Sequence, residues 1–66
     1  MERNIRLNWI ELVDEAVKRR KSQGLTQEQL SILAGVSKPT LNSFEQGKLT
    51  ITLQNAIKIL QELGLD

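Results

Sequence analysis

The sequence predicts an all-α fold, a compact domain of four to five helices, on three observations. Four helix-sized blocks are separated by short spacers around Gly24, Gly35, Gly47 and Gly64, the connection length of a compact helical domain. Strand signals are weak. The best β-like run, Leu49 to Leu53, leads straight into a helical pattern and is at most a short extended connector. The 66 residues are 39% apolar, enough for one core, and with only Trp9 and Phe44 aromatic that core must be filled by aliphatic side chains.

The first block, about Asn8 to Ser22, puts Trp9, Leu12 and Ala16 on one stripe at helical spacing, with Ile10, Val13 and Val17 as a second stripe beside it. Lys18, Arg19, Arg20 and Lys21 close it. These cations either complement the helix C-terminus or reach for phosphate. The second helix opens at Thr26, with Gln29 three positions on completing a capping box, and runs through Leu30, Ile32 and Leu33 to Gly35. The third follows after three residues. Ser37 can cap it and Pro39 sits in its first turn; the restriction on a residue before proline makes Lys38 the alternative cap. Leu41 and Phe44 face inward, leaving Lys38, Thr40, Asn42 and Ser43 on exposed sides. Thr52 caps the fourth helix, whose expected buried stripe is Leu53, Ala56, Ile57, Leu60 and Leu63.

Composition excludes several kinds of chemistry. Without Cys or His, the usual structural zinc sites, thiol chemistry and His-based catalysis fall away. The eight carboxylates are scattered, the Ser and Thr residues have no His to activate them, and no glycine-rich phosphate loop is present. No enzyme, metal or cofactor is expected. No apolar run approaches the ~18 residues of a membrane span, and the N-terminus does not lead into a signal-peptide stretch, so a cytoplasmic protein with no membrane partner is the expectation. The net charge is +1, which by itself argues weakly against nucleic acid. Its placement argues otherwise, because Lys38 and Lys48 have few acids nearby in the chain.

The informative segment is Gln27 to Phe44. A capped helix, a tight turn at Gly35 and a second capped helix with a polar, basic first turn make the layout of a helix-turn-helix. Ser31 is small enough to let the two helices cross closely, and Val36, Leu41 and Phe44 can anchor the second. A helix placed this way enters the major groove, where its N-terminal side chains reach base edges. The strings Leu25-Thr26-Gln27-Glu28-Gln29-Leu30-Ser31 and Gly35-Val36-Ser37-Lys38-Pro39-Thr40-Leu41-Asn42-Ser43-Phe44-Glu45-Gln46-Gly47-Lys48 closely resemble the lambda-repressor/Cro-like helix-turn-helix family. The resemblance covers about Leu12 to Leu65. The segment from Thr52 to Leu63 also resembles the antitoxin subgroup paired with HipA-type kinase toxins.

The resemblance implies roles residue by residue. Gln27 would hydrogen-bond a DNA phosphate at the start of its helix, and Ser37 would cap the recognition helix and touch phosphate as well. Lys38 matches the first base-reading position, where an ammonium suits guanine O6 and N7. Pro39 and Thr40 would meet a thymine methyl or a phosphate. Ser43 would face the groove with Asn42 at its flank, and Lys48 would clamp backbone phosphate. Gln27 could equally be a solvated first-turn residue and Pro39 a helix starter. Arg20 and Glu45 match a salt bridge that ties the first helix to the end of the recognition helix. Ser31 stands in place of the family's usual alanine, and Ile32 and Leu33 where polar residues are common.

These readings describe residues 1–66 as one helix-turn-helix domain, with the motif at about 26–46 and residues 1–7 as a candidate flexible arm. Arg3 and Arg6 in that arm either enter the minor groove or are ordinary terminal charge. The expected function is a sequence-specific transcriptional repressor binding double-stranded DNA as a homodimer on an inverted repeat. Its sharper form is the autoregulating antitoxin of a HipA-like kinase toxin. The alternatives are a phage-type repressor, a restriction-modification controller, or a protein-interaction module that keeps the fold without DNA binding. The apolar excess at Ile10, Val13, Val17, Ile32 and Leu33 favours a partner that covers it.

Overall fold

In the computed structural model residues 8–65 are described, and among them are four helices and no strand. They are α1 (Trp9–Ser22), α2 (Gln27–Ala34), α3 (Lys38–Glu45) and α4 (Leu53–Glu62). The candidate arm with Arg3 and Arg6 lies outside the described residues.

Each helix begins on a side-chain cap. Asn8, Thr26, Ser37 and Thr52 hold extended backbone conformations, and each accepts the main-chain N–H three residues ahead. Such a bond satisfies one of the donors that a helix leaves open at its start and is worth about 1 kcal/mol. Thr26 and Gln29 complete the capping box from both sides. The choice between Ser37 and Lys38 resolves to Ser37, with Lys38 the first helical residue and Pro39 in the first turn.

The ends are closed in one recurring way. Leu25, Val36, Lys48 and Leu65 each donate a main-chain N–H to the carbonyl five residues back, at Arg20, Ser31, Ser43 and Leu60. This closure needs a left-handed residue just before the donor, and glycine precedes every one of them. Gly35, at φ +76°, is the turn of the helix-turn-helix.

The core is Val13, Ala16, Leu30, Leu41, Phe44, Ala56, Ile59 and Leu63. Phe44, Leu30, Leu41 and Ile59 are fully enclosed, each contributing roughly 1.5–3 kcal/mol by burial. Helix α2 packs on α3 and α4, and α1 on α3. Trp9 fastens the start of α1 to the end of α3: its ring meets Phe44 edge-on at 5.5 Å, and its Nε1 donates to the Gly47 carbonyl at 3.1 Å. Ser31 is buried at the α2–α3 crossing, and its hydroxyl donates to the Glu28 carbonyl at 2.7 Å. A small polar residue is therefore tolerated there because its hydroxyl folds back onto its own helix.

The buried stripe of α4 differs from the expected one. Leu53 is 76% exposed and Ile57 42%, while Ile59 is fully buried. Both stripes share Ala56, Leu60 and Leu63, and the packing of α4 against α2 and α3 selects the rotation that brings Ile59 inward. On α1, Val13 is buried and Val17 half-buried, but Ile10 stays exposed. Ile32 and Leu33 are exposed on α2. The apolar excess read from the sequence is therefore on the surface at Ile10, Ile32 and Leu33.

Candidate nucleic-acid interface

A recognition helix must stand proud of the core while being held rigidly behind, and α3 meets both requirements. Leu41 and Phe44 bury its inner face completely. Its outer face carries exposed Lys38, Pro39 and Asn42 and half-buried Thr40 and Ser43. Neither Lys38 nor Lys48 forms an ion pair among the described residues, and both are exposed. Two uncompensated cations thus flank the outer face of α3, one at its first residue and one just past its end.

The rear fastening of α3 is Glu45. Arg20 Nε donates to Glu45 Oε2 at 2.7 Å and its Nη2 donates to Oε1 at 3.2 Å, a two-pronged pair. The remaining prong, Nη1, donates to the Leu25 carbonyl at 2.8 Å. The two side chains are only 12% and 8% exposed. A buried pair of this kind is sensitive to the loss of either partner, at roughly 3–5 kcal/mol. Glu45 is bonded to α1 through Arg20 and to α2 through Gln27.

The basic run at the end of α1 is divided by this packing. Arg20 enters the pair, and Arg19 Nη1 donates to the Leu63 carbonyl at 3.3 Å, setting a cation against the C-terminus of α4. Lys18 pairs with Asp14 one turn back at 3.2 Å, and both are exposed. Arg19 as a brace for α4 was not legible in the sequence, because its partner is a main-chain carbonyl 44 residues away.

Two groupings of the expected site residues form. Ser37 donates its hydroxyl to Thr40 Oγ1 at 2.7 Å while capping the helix through the Thr40 N–H. Gln27 Nε2 donates to Glu45 Oε1 at 2.8 Å and lies 3.5 Å from Asn42 Oδ1. The main-chain N–H groups of Gln27 and Glu28 precede the first intrahelical bond of α2, from Leu30 N–H to the Thr26 carbonyl, and so stand free to meet an anion. Lys48 is tied to α3 only through its main chain, at the Ser43 carbonyl.

Beside α3 lies a shallow hollow lined by Pro39, Thr40, Ser43, Thr50, Thr52 and Asn55. The sequence pattern singles out neither Thr50 nor Asn55 as a site residue, and it gives Thr52 only as a cap. The signal was present as a cluster of short polar residues at the start of α4. An apolar depression continues from it through Ile51 to Leu49, Leu53, Ala56 and Trp9. Among the described residues no group of three or more acidic, His or Cys side chains could hold a metal ion, and no helix is long and apolar enough to cross a membrane.

This arrangement has counterparts among known proteins. A helix-turn-helix family model matches residues 18–66. The chain is 33% identical over 63 residues to an uncharacterized HTH-type transcriptional regulator of Haemophilus influenzae, a match that takes in 96% of this chain and 61% of that protein's length. Among solved structures it is similar to a chain of a HipA-HipB-O2-O3 complex, with a TM-score of 0.81 and 28% identity across 97% of this chain and 90% of the other. A structure described as MDT Protein matches with the same TM-score of 0.81, the same 28% identity and the same coverage of 97% and 90%.

Proposed function

This chain belongs to the helix-turn-helix family, and from that premise we propose that it is a sequence-specific DNA-binding transcriptional repressor acting as a homodimer on a palindromic operator. The observation that carries the reading is α3 itself: capped by Ser37, seated on Leu41 and Phe44, anchored behind by Arg20–Glu45, and presenting Lys38, Pro39 and Asn42 outward. Lys38 reads guanine at the N-terminal end of the helix. Thr40 and Ser43 line the groove side with Pro39, while Ser37, the N-terminus of α2 at Gln27, and Lys48 hold phosphates.

The homodimer is supported by surface next to the recognition helix. Leu49 is 79% and Leu53 76% exposed, in the apolar depression that adjoins the polar hollow beside α3. A second copy seated there would bring its own α3 to the same side of a duplex, ~34 Å away for consecutive major grooves.

The sharper form of the proposal is the autoregulating antitoxin of a HipA-type kinase toxin, at work in the cytoplasm of a prokaryote and associated with its nucleoid. The likeness to a chain of the HipA-HipB-O2-O3 complex supports it, as does the apolar sequence pattern of α4. The test is a footprint on the DNA upstream of the chain's own gene, together with co-purification of the neighbouring gene's product. An operator footprint with a kinase-like partner supports the antitoxin. A footprint with no partner leaves a plain repressor, and a co-purifying partner with no DNA binding at low salt refutes the repressor reading.

A further inference from the structure

The Arg20–Glu45 pair does not end at Glu45 but continues outward through two amides. Glu45 Oε1 accepts from Gln27 Nε2 at 2.8 Å, and the same Nε2 lies 3.5 Å from Asn42 Oδ1. The chemistry of the inner end sets the polarity of the whole line. A carboxylate gripped by a guanidinium accepts and does not donate, so the end of the Gln27 amide turned to Glu45 is its NH2 group. That group has a second hydrogen, and the end of Asn42 that meets it is the oxygen. Turning either amide over would set acceptor against acceptor or donor against donor. Because the oxygen and nitrogen of an amide branch from one planar carbon, Oδ1 turned toward Gln27 turns Nδ2 away from it. Asn42 is exposed on α3, one turn beyond Lys38.

We propose that Gln27 is a positioning residue that holds the Asn42 amide donor-end outward, making Asn42 a donor-only reader that selects guanine over adenine. This rests on the DNA reading above and deepens it. The bidentate pairing of Asn with adenine needs Oδ1 to accept from N6 while Nδ2 donates to N7. With Oδ1 turned to Gln27 that pair cannot form, whereas guanine offers two acceptors, N7 and O6, to one NH2 group. Both hydrogens of the Gln27 amide then face protein oxygens, and contact with phosphate at the start of α2 falls to its main-chain N–H groups.

The experiment is selection of duplexes from a randomised pool by the full chain, in wild-type form and as Asn42→Ala, Gln27→Met and Gln27→Lys. The wild type is expected to favour guanine over adenine by about tenfold at one position of each half-site, and Asn42→Ala to erase that preference there. Gln27→Met keeps the side-chain length but has no donor. It frees Asn42 to turn over, so adenine is accepted at that position while the other positions stay as in the wild type. Gln27→Lys, which donates and has no acceptor end, retains the guanine preference; a role limited to fold support would not separate these two variants. Adenine preferred by the wild type at the position that Asn42→Ala erases overturns the proposal. So does an undiminished guanine preference in Gln27→Met, or in Asn42→Ala. Failure of the wild type to select any duplex at low salt overturns the DNA reading itself, a distinct result.

Discussion

Removing Arg20 tests the fastening of the recognition helix most severely. In Arg20→Ala the Glu45 carboxylate, 8% exposed, keeps only Gln27 as a partner, and the Leu25 carbonyl loses its guanidinium donor. An unpaired charge left in such a place costs roughly 3–5 kcal/mol. A domain of 66 residues has about 3–10 kcal/mol in all, at ~0.05–0.15 kcal/mol per residue. One truncation therefore removes a large share of the stability, and at ~4–8 °C per kcal/mol the loss lowers Tm by about 12 °C or more. The reverse truncation, Glu45→Ala, strands the guanidinium and costs a similar amount. Replacing both at once, as Arg20→Met with Glu45→Leu, removes the charge with its partner and is expected to be markedly less damaging than the summed single truncations. Urea unfolding of the four proteins measures this, with Arg20→Ala and Glu45→Ala as the single variants. Single losses under about 1 kcal/mol, the value of an exposed pair, would show that the pair does not fasten α3. So would a double variant less stable than either single variant.

Other expectations concern recognition and the turns. Lys38→Ala is expected to weaken binding by about 1–3 kcal/mol per half-site and to relax the base preference at one position, whereas Lys48→Ala weakens all sequences alike and reduces the salt slope by about 1; titrations of operator and scrambled duplex at several salt concentrations separate the two. Gly35→Ala forces a side chain into the left-handed region at φ +76° and is expected to cost about 1–2 kcal/mol by thermal unfolding. Gly47→Ala, at φ +79°, is expected to cost a similar amount, because its new Cβ meets only Ile10 Cδ1 at 3.2 Å, the end of an exposed side chain that can turn aside. Ser31→Ala is expected to stay within about 1 kcal/mol of wild type, since the lost hydroxyl bonds only its own helix, while Ser31→Leu overpacks the α2–α3 crossing and costs about 1–3 kcal/mol or more.

Local chemistry was legible in the sequence, and long-range geometry was legible only where a resemblance supplied it. The caps at Thr26, Ser37 and Thr52 and the glycine that closes each helix follow from residues a few positions apart, so one chain suffices to read them. Arg20 and Glu45 stand 25 residues apart, and nothing local joins them; the family likeness did. The rotation of α4 illustrates the limit. Ile57 and Ile59 are the same residue type two positions apart, both consistent with a helical stripe, and only tertiary packing decides that Ile59 is buried. The family resemblance makes Gln27 a phosphate ligand at a helix start. Its bond to Glu45 depends on how α2 and α3 cross, which no spacing rule contains.

In the proposed complex α3 enters the major groove of a palindromic site, one copy per half-site. Dimethyl sulfate protection on the DNA upstream of the chain's own gene tests it directly, because the reagent methylates guanine N7, an atom on the major-groove edge. Guanines are expected to be protected in two successive major grooves on one face, about one helical turn apart, with protection fading as salt rises and lost at one guanine per half-site in Lys38→Ala. No protection at low salt, or protection unchanged in Lys38→Ala, would contradict it.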